Sequence, residues 1–474
     1  MSIVVEVAVA LGAVLGFMDL SPHFYFGNIH KSRPFYSNNK HNSNNNRDEH
    51  VPVPVPVSIS HCWTSNLFLI FTSWRKQYGS IYLFSSGSIQ WLMVADMEMV
   101  KEILLNTSLN LGKPSYLSKD MGPLLGQDKV KAMVDQIVDS TNIMLRSWES
   151  RIERDGEVSE IKVDENLRSL SADIISRACF GSNYAQGKEI FTKIRDLQNL
   201  LSKISVGVPG FRYFPNKSNR QIWKLEKEIN SNISKLVKQC QDEGHEQDLL
   251  QMILEGAKNC DDLLSSSISQ DRFIIDNCKN IFFAGHETTA VTASWCLMLL
   301  ATYQDWQDRA RAEVLEVCRN CNLDASMLRS MKTLTTVIQE TLRLYPPAAF
   351  VVRTVFQDIN IKGIKIPKGM NIQIPISILQ QDIGLWGSDA YKFNPERFAN
   401  GVLGACKIPQ AYMPFGIGAR VCAGQHFAMM ELKVVLSLVL SKFRFSLSSS
   451  YCHSPAFRLV IEPGEGVVLN MTRI

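Results

Sequence analysis

A chain of 474 residues, 45% of them apolar, is long enough to bury a large core, and its formal net charge of +4 is too mild to argue for nucleic acid. Its eleven cysteines are odd in number and scattered through helical-looking segments, which excludes a disulfide framework and suits a reducing compartment. Neither an internal repeat nor a flexible linker is found after residue 60, so residues 61–474 read as one domain behind a distinct segment, 1–60.

Residues 3–18 are the candidate membrane segment. They fall short of the ~20 residues a spanning helix needs, and Glu6 interrupts them. The amino end lacks the positive charge of a secretory signal. Lys31 and Arg33 follow the run, which suits a cytosolic body if the segment inserts. A short amphipathic or disordered start is the alternative. Residues 37–50 are rich in asparagine and charge, and 51–57 alternate valine with proline, so neither offers a continuous apolar face. This part is a tail or linker.

Order begins near Trp63. A helix through Trp74 ends at Gly79, and strands follow at 80–84 and 90–94 around a turn at 86–88. Residues 97–105 read as a helix. After Gln127 the chain runs straight into Asp128-Lys129-Val130-Lys131, and apolar residues then recur at helical spacing. Val130, Met133, Val134 and Ile137 form one such set, and Leu167, Leu170, Ile174, Ile175 and Ala178 another. Residues 208–215 break the pattern before a charged helix through Trp223 and Glu226.

Ile274, Cys278, Ile281, Gly285, Thr288, Thr292, Cys296 and Leu299 share one stripe, which predicts a long buried helix over 269–303. Its middle reads Ala284-Gly285-His286-Glu287-Thr288-Thr289. Glycine there costs about 1 kcal/mol against alanine, and threonines can bond back to carbonyls and loosen the turn. A buried acid at such a turn is costly unless it does something. A polar kink with a solvent-facing Glu287 is the bland reading.

Cys318 and Cys321 have zinc-like spacing without a second pair nearby, so a surface turn after a helix is expected. Glu340 and Arg343 stand three apart on one helical face ahead of Tyr345-Pro346-Pro347. Residues 359–366 and 371–375 read as short strands around a turn at 367–369. Pro395-Glu396-Arg397-Phe398 follows. Next comes Pro414-Phe415-Gly416-Ile417-Gly418-Ala419-Arg420-Val421-Cys422-Ala423-Gly424, ahead of an apolar helix over 426–440. Its glycines permit close backbone approach, and a helix N-terminus with Arg420 beside it favours a thiolate. The loop suggests a soft sulfur ligand for a flat metal cofactor. Residues 451–459 and 462–469 read as a last hairpin with its tip at 463–466.

These four motifs, in this order, resemble those of the cytochrome P-450 family over roughly residues 61–474. Phe415, Gly418, Arg420, Cys422 and Gly424 match every fixed position of its haem loop, and 284–289 matches its oxygen-binding groove. The resemblance implies a mainly α fold with small β-sheets (α+β), with haem between a long central helix and the Cys loop. It implies that Cys422 is the axial thiolate of heme b (iron protoporphyrin IX), pushing electron density onto iron. Thr288 would steady dioxygen, and Glu287 would feed protons through water. Arg353 and Arg420 would reach the propionates, with Phe415 and Gly424 against the cofactor. Phe283, Ala284, Ala349, Phe350 and Val351 would line the substrate pocket. Glu340, Arg343 and Arg397 would lock the proximal scaffold. The region from 129 to 251 would lie over the pocket and near a membrane, although loop and core fit its residues equally.

Three departures accompany the match. The family carries a Trp-x-x-x-Arg or Lys helix after the equivalent of residues 121–127, holding a propionate. Here no tryptophan lies between Trp91 and Trp148 and no arginine between Arg75 and Arg146, so the chain looks shortened. Lys129 or Lys131 would be the substitutes. Gln380-Gln381-Asp382 stands where relatives carry His-x-Asp, and residues 1–60 lack the family's compact proline hinge.

Pro209-Gly210, Arg212-Tyr213, the Gln380 pair and the tail from Tyr451 to Arg458 look most like plant members, similar to the gibberellin-oxidising branch. The implied activity is hydroxylation or epoxidation of a hydrophobic plant metabolite, a gibberellin-type diterpenoid, with O2. Electrons would come from NADPH through NADPH-cytochrome P-450 reductase, docked near Arg420 and Lys433, at the endoplasmic reticulum membrane with the catalytic domain facing the cytosol. The alternative is a haem-deficient, inactive shortened variant serving at most as a binding protein.

Overall fold

The computed structural model of the chain describes residues 61–474 except 87–88, 107–109, 113–132, 181–183, 203–213, 244–249, 251–252, 255–269 and 319–322. The anchor and linker of 1–60, most of the 86–88 turn, the junction at Gln127, Lys129 and Lys131, the Pro209–Tyr213 stretch and Cys321 therefore lie outside the described residues.

Aromatic residues organise the amino-terminal end. Helix α1 (Leu69–Tyr78) stops at Gly79, and Phe71 and Trp74 on it pack edge-on against Phe84 and Tyr82. Strands β1 (Ile81–Ser86) and β2 (Ile89–Val94) pair antiparallel, as the alternation predicts, and α2 (Met97–Leu105) follows, capped by the Asp96 carboxylate accepting from the Met99 amide. With β3 (Leu111–Gly112), β5 (Phe350–Val355) and β8 (Asn371–Pro375) they form a sheet in the order β1-β2-β8-β5-β3. Tyr82, Phe84, Trp91, Met93, Phe350 and Val352 join the main core, while Leu92, Val94, Val355, Ile372 and Ile374 belong to a second one, an alternation that follows from the strand pleat.

The segments 359–366 and 371–375, expected as short strands around the 367–369 turn, do not pair with each other. Residues 359–366 are themselves a hairpin, β6 (Ile359–Ile361) with β7 (Ile364–Ile366), reversing at Lys362 and Gly363, both at positive φ. β8 pairs instead with β2 and β5. All five of its residues are buried, so both faces of this central strand are covered.

The helical body contains α3 (Val134–Asp155), α4 (Val163–Phe180), α5 (Tyr184–Leu201), α6 (Lys217–Glu243) and the 33-residue α7 (Gln270–Thr302). The stripe from Ile274 to Leu299 predicted α7 to within one residue at each end. The helix runs unbroken through residues 284–289. α4 lies along α7, and Gly285 permits the approach: a Cβ there would sit 2.7 Å from Ile175 Cδ1. Helices α8 (Gln304–Val317), α9 (Ala325–Ser330), α10 (Lys332–Leu344) and α11 (Gln425–Lys442) complete this part, and α11 packs on both α3 and α7.

The carboxyl end also differs from the predicted hairpin. β10 (Pro455–Arg458) and β11 (Val460–Pro463) pair around Leu459, which takes a left-handed φ of 69°. Gly464 and Gly466 lead onward to β12 (Val468–Arg473), the middle strand between β4 (Val158–Lys162) and β9 (Phe443–Leu447). A glycine cluster signalled a tip where the chain instead crosses to another sheet. The architecture is mainly α with small sheets, as expected.

Candidate active site

The cysteine loop is shaped by its own backbone. Cys422 N–H donates to the Phe415 carbonyl at 2.8 Å, and Gly416 N–H to the Met413 carbonyl at 3.0 Å. Gly418 sits at φ 78° hard against the Leu104 carbonyl at the end of α2, where no side chain would fit. The loop then delivers the chain into α11, with Gly424 at its N-cap. Val421, Cys422 and Ala423 are exposed at its crest, whereas Phe415 and Arg420 are half-buried.

Helix α7 opens a matching window. Ala284 is exposed although Ile281, Phe282, His286, Glu287, Thr289 and Ala290 around it are buried. Phe283, Gly285 and Thr288 are half-buried. The Thr288 hydroxyl donates to the Ala284 carbonyl at 2.6 Å, and Thr292 repeats the bond to Thr288 at 2.7 Å. Along β5, Val351 retains surface, while Ala349 is fully buried and the Phe350 ring lies 5.1 Å from Phe68 and 5.7 Å from Phe71. Arg353 is buried, and its Nη1–H donates to the Val352 carbonyl at 2.9 Å.

Glu287 stands in a charge cluster that sequence reasoning did not anticipate. Fully buried, its Oε2 accepts from Arg168 Nε of α4 at 3.5 Å and from Arg195 Nη1 of α5 at 3.2 Å. Both arginines also hold Glu462 of β11, each at 2.8 Å. Arg458 takes its other oxygen at 2.6 Å, and Asp164 holds Arg168 at 3.0 Å. Glu287 Oε1 and His286 Nδ1, 3.5 Å apart, have no hydrogen-bond partner among the described residues. Burial holds the His286 imidazole below its ordinary range, so it is neutral. The solvent-facing Glu287 of the bland reading is not what the fold makes. Arg168 and Arg195 sit in amphipathic helices where arginine normally marks a wet face. Glu462 did carry a signal: a lone acid inside the apolar strand Val-Ile-Glu-Pro.

The proximal residues assemble as a buried triad rather than a surface pair. Arg343 donates from Nε and Nη2 to Glu340 at 2.6 and 2.7 Å, both side chains are fully buried, and Arg397 Nε lies 3.6 Å from the same carboxylate. Gln380 and Gln381 serve the same scaffold, donating to the carbonyls of Leu342, Arg343 and Leu344. Lys433, half-buried, donates to the Leu328 carbonyl at 2.8 Å.

The donor set suits a haem. Among the described residues no group of three or more His, Cys, Asp or Glu could hold a metal ion. A lone sulfur at a loop crest fits an iron whose remaining ligands a macrocycle would supply. The crest is apolar around Cys422, and arginine rather than carboxylate accompanies it, which fits a cofactor bearing anionic propionates. Among the described residues no helix is long and apolar enough to cross a membrane.

Comparison with known proteins agrees with this chemistry. The profile of the family described as Cytochrome P450 matches residues 118–469. The chain is 49% identical to rice (Oryza sativa subsp. japonica) Cytochrome P450 714C2, over 94% of this chain and 90% of the relative. It is 46% identical to maize (Zea mays) Cytochrome P450 714B3 over 85% of this chain and 80% of that one, and 43% identical to Arabidopsis thaliana Cytochrome P450 714A2 over 95% and 90%.

Proposed function

This chain belongs to the cytochrome P450 family, and from that premise we propose that it is the monooxygenase of a gibberellin-type diterpenoid, which it hydroxylates or epoxidises. The family's prosthetic group is heme b, and its members are monooxygenases. The finer assignment rests on the plant-type sequence features around Arg212, Gln380 and His453. NADPH-cytochrome P-450 reductase is the proposed electron donor, approaching on the Arg420 side, and the endoplasmic reticulum membrane the proposed location.

The observation that carries the reading is the exposed Cys422 at the crest of a glycine-fixed loop, on a helix packed against α7 and its Ala284 window. When bound, the haem supplies the oxidising chemistry. The chain's residues do the rest. Cys422 would be the sulfur ligand, kept ionised by the loop amides and the start of α11. Arg353 and Arg420 would hold the propionates, and Phe415 and Gly424 would border the ring. Ala284 leaves room beside α7, with Phe283 and Val351 as apolar walls. The Thr288 hydroxyl, now on the Ala284 carbonyl, can turn to hold a proton at its Oγ. Glu287 is the acid next to Thr288 in the chain, and in this conformation the two arginines hold its Oε2 turned to them. Its unpartnered Oε1 is the atom through which a water would link it to the window.

The test is the carbon monoxide difference spectrum of the reduced protein, compared with Cys422→Ala. A thiolate-type Soret band that disappears in the variant supports the reading, and turnover of diterpenoid acids then tests the substrate. A band absent from the chain as it stands, but recovered when a Trp-x-x-x-Arg helix is inserted after Gln127, would instead support the haem-deficient alternative.

A further inference from the structure

A second buried carboxyl ties the candidate site together from behind. Glu431 lies on α11, downstream of Cys422 on the same loop-and-helix unit, and is 2% exposed. Its Oε1 lies 2.7 Å from the hydroxyl of Ser171 on α4, itself buried, and that hydroxyl lies 3.2 Å from the Gly285 carbonyl on α7. Glu431 Oε2 has no hydrogen-bond partner among the described residues. Three helices thus meet through one hydroxyl.

A serine hydroxyl owns a single proton, so Ser171 cannot donate to the carboxyl and the carbonyl together. If Glu431 is ionised, the carboxylate takes that proton and the carbonyl loses its partner. If Glu431 is neutral, its O–H donates to Ser171 Oγ, and Ser171 donates onward to Gly285; every proton is then used. Burial pushes the Glu431 carboxyl up to about 8, which favours the second arrangement at neutral pH. A neutral acid also leaves a carbonyl oxygen at Oε2, cheaper to strand than a charge.

The turn this chain reaches needs fixing. Gly285 has more backbone freedom than any other residue type would allow there, and the Ala284 carbonyl before it is shared with the Thr288 hydroxyl. Ile175, reaching from the same helix as Ser171, presses on Gly285. We propose that Glu431 is a positioning residue which, as a neutral acid donating through Ser171, fixes the Gly285 carbonyl and so the turn from Ala284 to Thr288. Its effect on oxygen chemistry rests on the monooxygenase reading; its effect on the turn does not.

The experiment compares Glu431→Gln, Glu431→Leu and Ser171→Ala by amide hydrogen exchange over 284–289 and by infrared spectroscopy of the full chain. Glutamine keeps a donor for Ser171, so exchange in that variant should match the parent. Leucine and alanine variants should exchange about tenfold faster in this turn, a change of the size a lost hydrogen bond produces. The parent should show a protonated-carboxyl band at neutral pH that Glu431→Gln lacks. In turnover, the share of electrons lost to hydrogen peroxide should rise several-fold in the leucine and alanine variants alone. An unchanged infrared band, a glutamine variant behaving like leucine, or exchange unaltered in Ser171→Ala each overturns the proposal. Should Glu431→Leu fail to fold, the other two variants decide it. Should the enzyme lack turnover altogether, exchange and infrared data still do.

Discussion

Two buried clusters of arginine and glutamate face opposite fates in this fold. In the triad of α10, every N–H of Arg343 is used: Nε and one Nη2 proton on Glu340, the Nη1 pair on the Gln380 and Ala390 carbonyls at 2.9 and 2.7 Å, and the last on the Lys392 carbonyl at 3.1 Å. Glu340 Oε1 also accepts from the Asn394 amide at 3.0 Å. In the cluster of α7, two arginines share two carboxylates, yet Glu287 Oε1 and His286 Nδ1 are left without partners. The network of Arg343 has no capacity left for chemistry and every reason to be rigid, although Arg397 Nε beside it, 3.6 Å from Glu340, has no hydrogen-bond partner among the described residues. An incomplete one, assembled from α4, α5, α7 and β11, keeps a place for water and can rearrange when any of its four elements moves. The difference separates a scaffold from a working part.

The largest effect should come from breaking the fully used network of Arg343. Arg343→Ala strands the fully buried Glu340 carboxylate and three backbone carbonyls, a loss on the order of 3–5 kcal/mol. Folded, haem-binding protein should not accumulate, and Arg343→Lys should not rescue it, because an ammonium cannot serve five acceptors in a plane. A lysine variant with the parent's unfolding midpoint would refute the completeness argument. Glu287→Gln should do the reverse. Enough hydrogen bonding survives for folding, while product formation falls by roughly 10²-fold or more if this acid moves protons. Comparing turnover with urea midpoints for the two variants separates the roles.

What the sequence revealed follows from the range of the interactions involved. α7, α2 and the β1–β2 ribbon were legible because periodicity and caps are local. The Glu340–Arg343 pair was legible as a motif, but its burial was not, since Gln380, Ala390 and Lys392 enclose it from 37 to 49 residues away. Arg168 and Arg195 stand 119 and 92 residues from Glu287, and nothing local distinguishes them from solvent-facing arginines. The carboxyl-terminal pairing was misread because Gly464 and Gly466 are the conspicuous turn residues, whereas the reversal falls on Leu459, whose left-handed φ no local signal announces. At 359–366 the turn signal of Pro367–Gly369 outweighs that of Lys362 and Gly363, where the chain in fact reverses.

A smaller effect should follow from loosening the incomplete cluster at one corner. Arg195 is about a quarter exposed, and Arg168 remains to hold both carboxylates when it is removed. Arg195→Gln should therefore cost only about 1 kcal/mol of stability. It should nonetheless change turnover several-fold, because α5 would no longer be tied to Glu287 and Glu462. Equal proportional losses in stability and turnover would make Arg195 a structural residue like Arg343.

The smallest effect sharpens the comparison with a third cluster, complete but uncharged. His61 is hydrogen-bonded to Tyr345 at 2.6 Å and Tyr303 at 2.9 Å, and His453 to Tyr345 at 3.1 Å and Tyr451 at 2.8 Å. Burial pulls the two imidazoles down to about 3 and about 4, so both are neutral in the folded chain. An unfolded histidine protonates near 6.5, so the unfolded state binds more protons below that pH. Stability contributed by these residues should be complete above about pH 6.5 and decline as pH falls towards 4, the sign linkage requires when folded values are depressed. Urea midpoints at pH 7.5 and 5 should differ less in His453→Gln than in the parent, because one of two titrating groups is gone. A parent protein equally stable at both pH values would mean that the imidazoles are charged in the fold, and that this third cluster is not complete.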